Sequence, residues 1–412
     1  MVAPQAFVPV LEPFLQWKRE RGLEPLVLTV EQAGGTAEAI ADSVAVRFAE
    51  PAGLTYLVLA GDVPLVPGFK GAFEQADDDT RYAQVAGDDL YPDLFVSRVS
   101  ARDTLELRTQ LVKFVRYERD PDPDGAWYAR AAGAASNLGD PTDAVLADRL
   151  RDDLLGWTFA SVDRIYEPDA TGAMISAALD EGISLLNYLG HGSGSSWSNP
   201  PFDNADVHAL ANGWMNPWIV DVSCANGRFS DAECFAEAWL RSGTPTEPRG
   251  AIAMYSASTT TPWVPPTVMQ AETVDLLATG EADEIGALCQ HGIMKVLDVY
   301  PGDEGRQLVE QYNIFGDCSL QVRTAAPRAL TVVHHGQLAV GVDVFPVDAG
   351  IAGARVAVTS AGVLHGTALT DATGYAAVPL AVPVLEPGSV VLTVTGRNLL
   401  PHRRAVPVTV PV

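Results

Sequence analysis

Ile183-Ser-Leu-Leu-Asn-Tyr-Leu189 runs into Gly190-His-Gly192, and Pro217-Trp-Ile-Val-Asp-Val-Ser223 runs into Cys224. Both are short, almost continuous apolar runs. They are too short for helices and are bounded by Gly or Pro, which suits strands covered on both faces. Parallel strands of that kind need helical crossovers between them. The sequence around them supplies these. Ala129–Ala135 reads as a strand and Ala144–Leu155 as a helix. Phe235–Arg241 reads as a helix and Ala251–Tyr255 as a further strand.

The alternation continues upstream. Phe14–Gly22 reads as a helix end with a Gly stop, Leu26–Val30 as a strand, and Thr36–Phe48 as an Ala-rich helix. Tyr56-Leu-Val-Leu-Ala60 is another buried strand, and Thr104–Tyr117 another amphipathic helix. Asp120-Pro-Asp-Pro-Asp-Gly125 is turn-rich and reads as a boundary. The expected fold class is α/β with mainly parallel sheets. It divides into an N-terminal subdomain at 1–124 and a second at 125–325.

After Ala325 the texture changes. From Pro327 on there is no Lys, and four acids face five Arg. Val356-Ala-Val-Thr359, Tyr375–Leu380 and Val390–Thr395 are strand-like runs between Gly and Pro turns. Residues 326–412 therefore read as an immunoglobulin-like β-sandwich.

The 412 residues carry 27 Lys and Arg against 52 Asp and Glu, a formal charge of −25. Such a surface repels phosphate backbones and excludes nucleic-acid binding as the main function. It keeps a protein soluble and favours encounter with basic substrates. No apolar run is long enough for a membrane span. No secretory signal is visible, and Val2-Ala-Pro4 reads as the tail of a strand. Cys224, Cys234, Cys289 and Cys318 show no zinc spacing; two disulfides are allowed, and none is required.

Two strands each end in a reagent. His191 lies between glycines, and Cys224 follows 33 residues later. In parallel α/β sheets the strand carboxyl ends line the ligand crevice. A cysteine nucleophile needs a thiolate, and an adjacent imidazole can take its proton. Gly192 leaves backbone uncovered there. Its N–H, with that of Cys224, can form an oxyanion hole for acyl transfer. Taken singly, each has a plainer reading, a buried Cys being a small hydrophobe and a turn His a surface residue.

Tyr188-Leu-Gly-His-Gly-Ser193, Trp197, Asp221-Val-Ser-Cys-Ala-Asn-Gly227, Cys234-Phe-Ala-Glu-Ala238 and Gln311–Leu320 together resemble the gingipain family of cysteine peptidases. Trp17–Leu23, Val58–Asp62 and Tyr82–Asp88 extend the likeness upstream, so that it covers nearly the whole chain. The resemblance implies a caspase-like catalytic domain of two α/β subdomains followed by an Ig-like domain. It implies an endopeptidase acting on protein or peptide substrates after Arg or Lys. Cys224 is then the nucleophile and His191 the general base and acid. Asp143 is the acidic floor of the S1 pocket, with Asp140 as the fallback, and Trp263 the aromatic wall. No cofactor is required, calcium is a possible structural ion, and the location is secreted or cell-surface, with a cytoplasmic one left open by the lack of a visible signal. The plain reading of Asp143 is a helix N-cap, and that of Trp263 a packed loop residue.

One position departs from the family. Leu138 stands where the family has a Glu directed at the catalytic His. A Leu cannot orient an imidazole by a hydrogen bond. Asp140 or a carbonyl then substitutes, or the pair works as a dyad. This departure motivates an alternative reading, a catalytically impaired or partner-activated binding module. Asp77-Asp-Asp79 reads as a solvated acidic loop or as calcium ligands. His334-His335 reads as an exposed pair in the sandwich. Cys234 and Cys289 read as core residues. The sequence assigns no metal ligand and no oligomeric state.

Overall fold

The computed structural model describes residues 1–410. The chain forms two compact units. The first comprises Met1–Val10, Val27–Phe114 and Ala126–Ala325. It is built on one ten-stranded sheet in the order Leu28–Thr29, Val2–Ala3, Tyr56–Ala60, Phe95–Val99, Tyr312–Gly316, Ala253–Ala257, Trp218–Val222, Leu185–Leu189, Arg130–Ala135, Ser161–Tyr166. All neighbours run parallel except Ala253–Ala257 against Tyr312–Gly316.

The four central strands from Leu185–Leu189 to Tyr312–Gly316 are buried at every residue. That is why three of them, Leu185–Leu189, Trp218–Val222 and Ala253–Ala257, read as mainly apolar runs. Where the sequence suggests a division at 124/125, the sheet is continuous. Tyr312–Gly316 pairs with Phe95–Val99 on one side and with Ala253–Ala257 on the other. Strand pairing is not local in sequence, so a linker does not mark a sheet boundary.

Two of the crossover helices start at threonine caps. Thr36 accepts from the Ala39 N–H ahead of Ala37–Phe48, and Thr142 accepts from the Val145 N–H ahead of Asp143–Leu155. The register Leu189–Val222 and Leu189–Ala135 aligns three strand ends. Ser136, Gly190 and Ser223 therefore leave the sheet at one edge, followed by Ser258 from the next strand.

The second unit comprises Leu11–Leu26, Val115–Gly125 and the chain from Ala326 on. Its strands form a three-stranded sheet (Val333–His334, Val344–Asp348, Tyr375–Pro379) and a five-stranded sheet (Leu338–Ala339, His402–Thr409, Gly388–Thr395, Arg355–Ser360, Val363–Leu369). Phe345, Val347 and Val378 of the first share one apolar core with Val356, Leu392, Val394 and Val406 of the second. Leu11–Leu26 and Val115–Gly125 group with these strands, although the sequence assigns all of them but Gly125 to the 1–124 segment. Within the unit, Glu118 gathers Trp17 Nε1 and Lys18 Nζ, each at 2.8 Å, together with Arg21. Glu20 holds Arg403 at 2.7 Å. Buried charges must be paired, and these pairings tie segments that lie far apart in sequence.

Candidate active site

His191 leaves its strand through Gly190, whose N–H bonds the Val222 carbonyl at 3.1 Å. The His191 carbonyl accepts the Tyr188 hydroxyl at 2.9 Å and the Ser198 N–H at 3.0 Å. The Tyr188 ring stacks on Trp197 with centroids 4.3 Å apart. Trp197 Nε1 donates to Asp221 Oδ1 at 2.8 Å, and Ser256 donates to Asp221 Oδ2 at 2.6 Å. Burial pushes the Asp221 carboxyl up to about 6, against the pull of these donors. The His191 backbone is thus fixed from below while its ring is exposed. The ring meets Trp263 edge-on, centroids 5.2 Å apart.

The Cys224 loop is seated against the His191 loop. A Cβ at Gly192 would lie 2.4 Å from the Cys224 carbonyl oxygen and 2.6 Å from Ser223 Oγ, so only glycine fits. Ala225 has φ +63°, a left-handed conformation that costs a non-glycine residue about 1–2 kcal/mol. It turns the chain sharply after the nucleophile and directs the Ala225 N–H to the Thr259 carbonyl at 2.9 Å. Asn226 joins both loops: its Oδ1 accepts the Gly194 N–H at 3.1 Å, and its Nδ2 donates to Ser223 Oγ at 2.9 Å. Sequence alone assigns Asn226 no role, although it lies within the Asp221–Gly227 motif. Such a staple is visible only once two distant loops are side by side.

Among the described residues, the N–H groups of Gly192 and Cys224 donate to no protein acceptor. Gly192 pairs with Trp197 through the bonds of its flanking residues, which leaves its own donor free. No hydrogen bond joins the Cys224 thiol to the His191 ring. Apo sites often hold their reagents looser than the substrate complex does. The sulfur faces Thr261 instead, with the backbone N–H at 3.5 Å and Oγ1 at 3.8 Å.

Asp143 is the first residue of its helix, but Thr142 is the cap. Its buried carboxylate turns to Ser136 Oγ, which donates at 2.5 Å, and to the Trp263 indole N–H. Burial raises its carboxyl above the usual range, and these donors and the His191 charge pull it back. Asp143, Trp263 and His191 are therefore brought together. Asp140 stands exposed on the preceding loop, and Leu138 is 43% exposed with no polar side-chain atom to offer His191.

Asp77, Asp78 and Asp79 are buried, not solvated. Asp77 pairs with Lys70 and accepts the Ser230 N–H at 2.8 Å. Asp79 takes Arg98 in a two-pronged pair at 2.6 Å. Asp78 accepts the Arg81 N–H at 3.1 Å, and burial raises its carboxyl to about 8. The three carboxylates diverge to different partners and do not fit a calcium cage. Among the described residues no three His, Cys, Asp or Glu side chains gather as metal ligands. No disulfide joins any two of the four cysteines, and Cys234, Cys289 and Cys318 are buried. His334 is half-buried beside Phe345 and His402, while His335 is exposed.

The model of peptidase family C25 matches residues 1–323. The chain belongs to that family. Gingipain R2 of Porphyromonas gingivalis (strain ATCC BAA-308 / W83) is 29% identical over 417 residues, which covers 97% of this chain and 55% of that protein. Lys-gingipain of Porphyromonas gingivalis (strain ATCC 33277) is 26% identical over 440 residues, covering 97% of this chain and 25% of that protein. The chain thus spans about half the length of gingipain R2, and less of Lys-gingipain. The solved structure of the Arg-specific cysteine proteinase gingipain R superposes with a TM-score of 0.95 at 29% identity, covering 99% of this chain and 97% of that one. The fold is therefore that of gingipain R.

Proposed function

We propose that this chain is a cysteine endopeptidase that cleaves after Arg or Lys. The observation that supports the reading is the alignment of two strand ends, after which the His191 and Cys224 loops meet at Gly192, with the N–H groups of Gly192 and Cys224 unused. The Cys224 thiolate attacks the scissile carbonyl carbon. The N–H groups of Gly192 and Cys224 receive the oxyanion, a term worth about 10²–10³ in rate per donor. His191, holding the thiol proton, gives it to the leaving amine as the C–N bond breaks. A water then loses its proton to His191, attacks the thioester, and releases the acid and the thiol. Asp143 takes the P1 cation. An incoming guanidinium or ammonium favours the ionised carboxylate and offsets the burial that holds Asp143 up. Trp263 lies over the side-chain stem.

The chemistry requires only side chains and water. Substrates are proteins or peptides, and the same proposal gives a secreted or cell-surface location and an Ig-like fold for the C-terminal sheets. No helix among the described residues is long and apolar enough to cross a membrane. A second reading, an impaired or partner-activated binding module, is favoured by Leu138. A peptidyl chloromethylketone with P1 Arg or Lys separates the two. Rapid modification, mapped to Cys224 by mass spectrometry and absent with P1 Asp, supports the peptidase. No modification of Cys224 supports the binding module.

A further inference from the structure

We propose that Thr261 is a catalytic residue that stabilises the Cys224 thiolate, and that Glu74 is the positioning residue that holds it in place. The inference rests on Cys224 being the nucleophile and adds a partner for its sulfur. Among the described residues, both hydrogen-bonding contacts of that sulfur come from Thr261. The N–H at 3.5 Å is a donor in every protonation state. The hydroxyl at 3.8 Å is two-faced. It can accept from the neutral thiol and, after rotation, donate to the thiolate, keeping its own proton throughout. The thiol proton leaves to His191. Hydrogen bonds to a charged form favour that form, and thiolate fraction controls cysteine reactivity.

The segment bearing Thr261 is held from two sides. Thr259 accepts the Ala225 N–H through its carbonyl, and Gln311 Nε2 donates to Thr259 Oγ1 at 2.5 Å and to the Thr260 carbonyl at 2.8 Å. From the opposite side, Glu74 Oε2 accepts the Thr260 N–H at 3.3 Å. Glu74 and Gln75 form the tip of the hairpin between Phe69–Lys70 and Asp77–Asp78, with φ +49° and +54°. Two successive non-glycine residues in the left-handed region are strained, and such strain persists where the surroundings fix it and clusters at functional sites. Here the strained tip delivers a carboxylate to the residue next to Thr261. The thiol side of the site thus carries a preorganised stabiliser, while Leu138 gives the imidazole side no carboxylate hydrogen bond.

The test is the pH dependence of Cys224 alkylation by iodoacetamide, followed with the ultraviolet band of the thiolate, in wild type, Thr261→Val, Thr261→Ser and Glu74→Ala. Cys224→Ala identifies the signal. Val has the shape of Thr without the hydroxyl, so thermal unfolding should move little. The expected result is a thiolate midpoint raised by about half a pH unit or more in Thr261→Val, a several-fold lower kcat with KM little changed, and near wild-type values in Thr261→Ser. Glu74→Ala should shift the midpoint the same way by less. A wild-type midpoint in Thr261→Val, or a Thr261→Ser variant as impaired as Thr261→Val, overturns the role of Thr261 while leaving the peptidase reading intact. A wild-type Cys224 that alkylates no faster than a free thiol, with no peptide cleavage, overturns both.

Discussion

Gly192 has no room for a side chain. Its missing Cβ is what lets the His191 loop lie on the Cys224 carbonyl, and its N–H is one of two free donors. Gly192→Ala should force the loops apart and move that donor. We expect kcat/KM to fall by about 10²-fold or more, against a stability loss of only about 1–3 kcal/mol. Steady-state kinetics and urea unfolding on the same preparation check both. His191, Cys224 and Gly192 were legible in the sequence because each sits at the end of an apolar run. Asn226 and Thr261 were not. Their roles depend on which loops the sheet sets side by side, and short polar loops carry no periodicity to announce it. Asp143 was legible as an acid at a helix start, but its turn away from capping and toward Ser136 and Trp263 was not.

At the scale of elements, most strands and helices of the first unit follow from apolar runs and threonine caps. The strands that join its two halves do not. Phe95–Val99 contains Arg98, and Tyr312–Gly316 contains Asn313 and Gly316. Arg98 is fully buried, and its charge is met by Asp79. A polar residue inside a strand hides the strand from a reading based on apolar runs. The helix Thr104–Arg119 carries a second buried cation. Lys113 Nζ reaches the Arg249 carbonyl at 3.0 Å and the Trp239 carbonyl at 3.4 Å, and burial lowers its pKa to about 7. The unfolded chain holds that proton up to about pH 10.4. Between these values the unfolded state binds more protons, so stability rises with pH through that window and is lowest below about 7. Lys113→Met should remove this dependence. It should stabilise the protein at about pH 6 by on the order of 1–3 kcal/mol, and urea unfolding at pH 6 and 9 measures the difference.

At the scale of the molecule, all but four of the 52 acids precede Pro327, so the negative field belongs to the part that carries the site. Such a field raises the encounter rate of cationic substrates and is screened by salt. For peptides with the same P1 Arg, kcat/KM of a net +3 peptide should fall several-fold between about 0.01 and 0.15 M salt. A net-neutral peptide should change little. Equal salt sensitivity of the two would assign any salt effect to the fold and not to steering.

The most direct measurement is kcat/KM on a fluorogenic peptide panel that varies only P1, for wild type, Cys224→Ala and Asp143→Asn. We expect cleavage confined to Arg and Lys, abolished in Cys224→Ala, and about 10²-fold lower or worse in Asp143→Asn for those residues. Cleavage that survives Cys224→Ala, or no cleavage at any P1 residue by the wild type, would contradict the account.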